Sequence, residues 1–373
     1  MPRVTSVLRT LTERTEVMLE HLAALVDVES PTADLAATTR AADAAAELGQ
    51  ALLGAAPERI VVDERTHLRW RFGAADRVVL IGHLDTVWPL GTTAEWPLRV
   101  EDGIASGPGT FDMKAGVVQL LHALAVLDSL DGVAVLLTTD EETGSPSSRA
   151  LIEETALAAG AALVLEGAAD GAVKTQRKGV SMYELHVRGL AAHAGVEPEK
   201  GVNATLELAH QALAIAELQA VDVGTTVTPT VAHAGTTTNT VPAGARLSVD
   251  VRAETAAEQW RVDAALHALT PVLLGAVLRL EGAPNRPPLE RRMSVELFDR
   301  ACALAADLGL DPLAEISVGG GSDGNFTAGI GVPTLDGLGA VGGGAHARSE
   351  HIVVAELARR SALVSALVAQ LLR

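Results

Sequence analysis

The sequence predicts an α/β fold with a second, α+β domain inserted into it. Three observations predict it. Apolar strand-like runs alternate with amphipathic helices over residues 1–179, the order changes to β-α-β-β-α-β over 180–287, and helix–strand alternation resumes over 288–373. A chain of 373 residues also exceeds one typical core and suits about two domains.

Met18, Leu22 and Leu25 mark one face of an opening helix that stops before "ESPT", and "ADAAAELGQALLGA" is a second helix. "RIVV", "HLRWRF" and "RVVLIGH" are β-type runs; "MKAGVVQLLHALAVLDSL" is a helix, "VAVLLTT" a strand, "SSRALIEETALAAG" a helix and "AALVLEG" a strand. Continuous apolar strands of this kind belong to a sheet covered on both faces. In the inserted segment "SMYELHVRG" alternates like a half-exposed strand, and "TVTPTVAHAG", "ARLSVDVRA" and "GAVLRLEG" are further strands. "GVNATLELAHQALAIAEL" and "AAEQWRVDAALHAL" are its helices, which makes the unit ferredoxin-like. "GAPNRPPLERR" is expected to be a linker, followed by the helix "SVELFDRACALAADLG".

Apolar residues make up 48% of the chain and aromatics 2%, so Ala, Val and Leu must build the core. The net charge of −18 would repel nucleic acid and anionic membranes, which are not expected partners. Cys302 is the single cysteine and sits in an amphipathic pattern, so no internal disulfide forms and a buried structural thiol is expected. Charges throughout the first residues argue against a signal peptide, and no run of about 18 apolar residues occurs, so a cytoplasmic location is expected.

"TTDEETGS" raises the chemical question. Asp140, Glu141 and Glu142 follow directly on an apolar strand. Two like charges about 5 Å apart repel by about 3 kcal/mol at an effective dielectric of about 20. Neighbouring strand residues point to opposite faces, so the chain must bend if Glu141 and Glu142 share a site. A bound divalent cation would remove the repulsion. "VVLIGHLDTVWP" places His83 and Asp85 past another strand, where ligands of α/β sheets collect. The i, i+2 spacing lets a carboxylate orient an imidazole. "GPGTFDMKAG" puts Asp112 in a glycine-rich turn before a helix, where by itself it reads as an N-cap. Glu166 ends the run "ALVLEG", and "VGGGAHARSEHI" supplies His346 after a flexible stretch. Two His and several carboxylates at strand ends and glycine loops suit two divalent cations bridged by a shared carboxylate.

These stretches, with "AAHAGVEPEKGVNA" and "GGGSDGNF", resemble the dinuclear zinc peptidases and deacylases: glutamate carboxypeptidase, to which the resemblance is closest, acetylornithine deacetylase, succinyl-diaminopimelate desuccinylase and aminoacylase. The resemblance runs from about residue 80 to the C-terminus. It implies a three-layer α/β/α zinc-exopeptidase-like catalytic domain with a ferredoxin-like lid and dimerisation domain. It implies that Asp112 bridges the metals, that His83 and Glu166 complete one site, and that Glu142 and His346 complete the other. Asp85 would orient His83, and Glu141 would be the general base on the bridging water. His193 would stabilise the oxyanion from the partner subunit of a homodimer. Asn239 and Arg252 would hold the substrate, and Gly320 and Gly321 would line its pocket. Glu rather than Asp at 166 accompanies deacylases and carboxypeptidases in this family. The metals would be zinc, with cobalt or manganese as alternatives. The reaction implied is hydrolysis of an amide beside a free carboxylate, in a peptide or an N-acyl amino acid.

Two other readings compete. "GGSDG" fits the nucleophile elbow of a serine hydrolase, with Ser322, Asp336 and His346 in the right order, but it leaves His83, Asp112, Glu141, Glu142 and Glu166 unexplained. A non-catalytic relative that binds metal or peptide is the other, and the presence of Glu141 speaks against it. "GLGAVG" fits a dinucleotide fingerprint but precedes no helix-forming run. His233 matches no motif and is expected to be structural.

Overall fold

Strand Val78–His83 lies parallel to Val133–Thr138 on one side and to Ala161–Val164 on the other. In the computed structural model, which describes residues 2–373, these form the middle of a six-stranded sheet. Thr334–Leu335 extends it in parallel, while Arg65–Phe72 and Glu58–Val62 add an antiparallel edge. Side-chain alternation divides the core in two. Val78, Leu80, Val133, Val135 and Leu137 join one cluster; Val79, Ile81, Ala134 and Leu136 join the other. Helices Thr15–Asp27, Leu35–Leu53, Ala115–Leu124, Val295–Leu308 and Val354–Leu371 bury their apolar faces in the first cluster. Helices Arg149–Ala158 and Gly324–Gly329 cover the opposite face. The result is three layers, α/β/α.

With few aromatics, close approach does much of the packing. Trp70, buried on its strand, fits only because helix Leu35–Leu53 presents Gly49, where a Cβ would stand 2.4 Å from the indole. That helix starts on the Asp34 carboxylate, which accepts from Ala37 N, and ends on Gly54 in the left-handed region.

Two compact units divide the chain. One comprises the chain up to Gln176 with Leu289–Val318 and Ser322–Arg373; the other is Arg177–Pro288 with Gly319–Gly321. The second unit stacks helices Ala204–Ala216 and Ala256–His267 on one face of an antiparallel sheet. Its strand order is Thr226–Ala234, Gly244–Ala253, Gly179–Arg188, Val277–Arg286, the ferredoxin-like arrangement of a split βαβ.

Some local expectations need correction. The helix of Met18, Leu22 and Leu25 is Thr15–Asp27, but it does not open the fold: a helix over Pro2–Thr12 precedes it, and the Thr12 and Thr15 hydroxyls bond to the carbonyls of Leu8 and Thr12 at the break. The expected linker begins as strand, because Val277–Arg286 continues through Pro284. It is an edge strand, where a proline costs no ladder bond on its open side. His233, expected to be structural, is exposed on the other edge strand. Cys302 is only partly buried, and burial pushes its thiol pKa up. No helix among the described residues is long and apolar enough to cross a membrane.

Helices Thr15–Asp27 and Ala115–Leu124 meet at a histidine pair, His21 Nδ1 lying 3.0 Å from His122 Nε2. Burial first, then the neighbouring His21 and Arg14, pushes the His122 pKa down to about 4 from 6.5. The folded state therefore keeps His122 neutral where the unfolded chain takes up a proton. This stability is fully present above the unfolded pKa and is lost as pH falls toward the folded one. Thermal unfolding of the wild type should show a falling midpoint from pH 7 to 4.5, and His122→Gln should flatten that slope. An unchanged slope in the variant removes His122 as its source.

Candidate metal centre

Three parallel strands bring their carboxyl ends together, and the charged residues stand just beyond them. His83 is the last residue of its strand and is 1% exposed. Glu166 follows Ala161–Val164 by two residues. After Val133–Thr138 the chain does not continue as strand. Glu141–Thr143 form a 3₁₀ turn closed by Gly144 at φ 92°. That turn lets the adjacent Glu141 and Glu142 serve one site, as the sequence required. Asp140 faces elsewhere. Its carboxylate accepts from the backbone N and hydroxyl of Ser147 at 2.7 and 2.6 Å, and from those of Ser148 at 3.2 and 2.5 Å.

Asp112 arrives on a loop after the short strand Ile104–Ser106, and His346 on the hairpin between Val341–Gly343 and His351–Val353. These short strands belong to one small sheet, which brings two segments distant in sequence together. Asp112 is not an N-cap: its φ and ψ are −119° and 91°, and the following helix has no side-chain cap. Its two oxygens instead face two histidines. Oδ1 is 3.0 Å from His83 Nε2, and Oδ2 is 3.3 Å from His346 Nε2. His346 Nε2 is also 3.1 Å from Glu142 Oε2, and His83 Nε2 is 3.6 Å from Glu166 Oε1. The ligand atoms of His83, Asp112 and Glu142 lie within 4.8 Å of one another, as do those of His83, Glu141 and Glu166.

Asp85 holds His83, but through its main chain. His83 Nδ1 is 2.9 Å from the Asp85 carbonyl and 3.5 Å from its carboxylate. This directs Nε2 into the cluster. The Asp85 carboxylate does something sequence reasoning missed: it accepts from Glu141 N at 3.3 Å, Glu142 N at 3.2 Å and Thr32 Oγ1 at 2.8 Å. One residue thus orients a histidine and secures the turn carrying both glutamates. No local signal marks Thr32, which lies 53 residues away.

The electrostatics follow from crowding. Burial opposes charge on His83, but the carboxylates of Asp112, Asp85 and Glu166 outweigh it and raise its pKa well above the ordinary value. Asp112 and Glu142 push His346 up to about 10. Burial works against ionised Asp112 too, yet His346 and His83 hold it well below the usual carboxylate range. Burial raises Glu142, whose Oε1 has no hydrogen-bond partner. Imidazole nitrogens and carboxylate oxygens converging on a buried, unsatisfied oxygen are a donor set that fits zinc. A cation among them would replace the protons that otherwise balance the charge.

Residues 79–370 match peptidase family M20/M25/M40. The chain belongs to this family. It is 30% identical to carboxypeptidase G2 of Pseudomonas sp. (strain RS-16) over 96% of this chain and 90% of that protein. It is 28% identical to succinyl-diaminopimelate desuccinylase of Wolinella succinogenes, over 77% and 82% of the two chains. Aminopeptidase PepT from Bacillus cereus ATCC 10987 matches with a TM-score of 0.75 at 25% identity, covering 96% of this chain and 99% of that one. Membership makes the chain a metal-dependent hydrolase with the α/β catalytic fold of M20 peptidases.

The serine-hydrolase reading finds no support in the geometry. Ser322 is fully buried and its hydroxyl donates to Asp336 at 2.6 Å, while His346 faces Asp112 and Glu142. Strand Val341–Gly343 begins within "GLGAVG", so no helix N-terminus opens there for a dinucleotide.

His193, Asn239, Arg252, Gly320 and Gly321 all belong to the second unit. Ala194 N donates to the Asn239 carbonyl at 2.9 Å, so the loops of His193 and Asn239 lie side by side. Exposed His193 accepts from Gly195 N at Nδ1, 3.1 Å, which leaves Nε2 as its donor. The guanidinium of Arg252 is already paired with Asp250, at 2.8 and 2.9 Å, on the same face of its strand. The carbonyls of Gly320 and Gly321 accept from buried Arg177 at 3.1 and 3.2 Å, a contact no motif announced.

Asp140→Asn would set an amide donor against backbone and hydroxyl donors. It should cost about 1–3 kcal/mol, the cost of an unsatisfied buried donor. Denaturant unfolding checks this, and a loss below about 0.5 kcal/mol would mean the Ser147–Ser148 turn holds without it.

Proposed function

We propose that the protein hydrolyses an amide bond next to a free carboxylate, either a C-terminal peptide bond or an N-acyl amino acid. The observation that carries this reading is the Asp112 carboxylate divided between His83 and His346. His83 and Glu166 would hold one divalent cation and His346 and Glu142 the other, with Asp112 shared. Two such ions, zinc with cobalt or manganese as alternatives, acidify water and polarise a carbonyl when bound. Glu141 takes the proton of the attacking water and passes it to the leaving nitrogen. Its place in the ring of ligand atoms with His83 and Glu166 supports that role. His193 donates from Nε2 to the developing oxyanion. Asn239 beside it and Arg252 hold the substrate, with Gly320 and Gly321 in the wall of the pocket. Because Asp250 occupies the Arg252 fork, a substrate carboxylate must share or displace that pair. Glutamate at 166 and the similarity to carboxypeptidase G2 and to succinyl-diaminopimelate desuccinylase favour a carboxypeptidase or deacylase over an aminopeptidase.

Adjacent glutamates with different tasks give the decisive test. Glu142→Ala should lose tightly bound metal, and activity with it. Glu141→Ala and Glu141→Gln should keep metal and substrate binding, while kcat falls by about 10²–10⁴-fold. Metal stoichiometry and kcat on the three proteins, using a panel of dipeptides and N-acyl amino acids, separate the roles. Retained metal and normal turnover in every variant would sink the reading, as would full activity in excess chelator.

His193 is assigned to the centre of a partner subunit in a homodimer. Sedimentation should show a dimer, and His193→Ala should lower turnover without changing metal content. A strictly monomeric, fully active protein excludes the arrangement in trans.

A further inference from the structure

Glu350 lies four residues beyond His346 and is fully buried. Four donors converge on its carboxylate. Oε1 accepts from Phe111 N at 2.9 Å and from Asp112 N at 3.0 Å. Oε2 accepts from Gly109 N at 3.0 Å and from Trp88 Nε1 at 2.8 Å. Its own backbone N donates to Ala347 O at 2.9 Å, and Ala347 N donates to Gly344 O at 2.9 Å. These bonds close the turn that holds His346 in the left-handed region at φ 61°. One buried carboxylate therefore ties together the segment running from His83 to Trp88, the loop of Asp112 and the turn of His346.

We propose that Glu350 is a positioning residue for the two-metal centre, setting where the Asp112 carboxylate stands relative to His83 and His346. It acts through the Asp112 backbone and is not a ligand itself. The inference rests on the reading that these residues hold metal. The chemistry requires an ionised carboxylate. Both oxygens take two donors each, so an amide would aim its NH₂ at two N–H groups whichever way it is turned. An acceptor-only group also makes stronger, charge-assisted bonds to the four N–H groups, which stiffens the loop that must hold a shared ligand.

Zinc affinity should be measured by chelator competition, and the visible spectrum recorded on the cobalt-loaded protein, for wild type, Glu350→Gln and Glu350→Asp. Circular dichroism reports folding of each. Glu350→Gln should fold, bind zinc about 10–100-fold more weakly and change the cobalt bands. Glu350→Asp keeps the acceptors but withdraws them by one methylene, and should fall between. Wild-type affinity and spectrum in Glu350→Gln overturn the proposal. If only Glu350→Asp folds, its weakened affinity supports the proposal and wild-type affinity overturns it. If neither folds, Glu350 serves the fold of the whole unit and the positioning role is overturned. A wild type that binds neither ion defeats the metal reading itself, and this inference with it. Wild-type binding with an indifferent Glu350→Gln defeats only the inference.

Discussion

Like-charge repulsion at the ends of three parallel strands is the constraint around which the catalytic unit is arranged. Asp112, Glu141, Glu142 and Glu166 converge where each pair at about 5 Å would repel by about 3 kcal/mol at an effective dielectric of about 20. Little positive charge stands against them. His83 and His346 are at contact distance, and Lys174 is 3.9 Å from Glu166. A cation bound among them would offset that repulsion. The carboxylates also raise the pKa of both histidines.

Further buried carboxylates hold the segments that carry this cluster. Asp140 pins the glutamate turn to Ser147 and Ser148. Asp85 accepts from the backbone of both glutamates. Asp323 accepts from Thr138 at 3.0 Å and also from the Ser145 hydroxyl, binding the strand end to the turn that follows it. Each anion is satisfied by N–H or O–H donors, the condition under which burying charge is tolerable. The same rule explains Ser322 and Asp336. They match a nucleophile and its triad acid in sequence, yet they are scaffold, bonded to each other inside the core.

The second unit works differently. Its helices cover one face of the sheet, and the other face carries charge. Register places His233, Arg246, His186 and Arg279 in one row across the four strands. Glu184 and Glu281 stand in the next row, and His186 and Arg279 pair with them. Cross-strand neighbours of like sign are thereby offset by the adjacent row. The loops at His193 and Asn239 are joined by backbone bonds, so the unit presents the two together on a common support.

Much of this was legible in the residues alone. Apolar runs of period two and three to four disclosed the layers and the inserted unit, because burial dictates those periods locally. Acidic residues directly after buried strands pointed to a charged cluster at the strand ends, because that position is otherwise costly to fill. His83, Asp112, Glu142, Glu166 and His346 each stand in a distinctive short motif, and the structure brings these side chains together. What sequence could not give is who holds whom. Asp85 uses its carbonyl for His83 and its carboxylate for the glutamate turn. Thr32, Arg177 and Glu350 reach their partners across 53, 143 and 238 residues of chain. Such bonds depend on the approach of distant loops, which no local pattern encodes. The strand ends determined where charge would gather; only the tertiary structure decided which buried donors and acceptors would keep it in place.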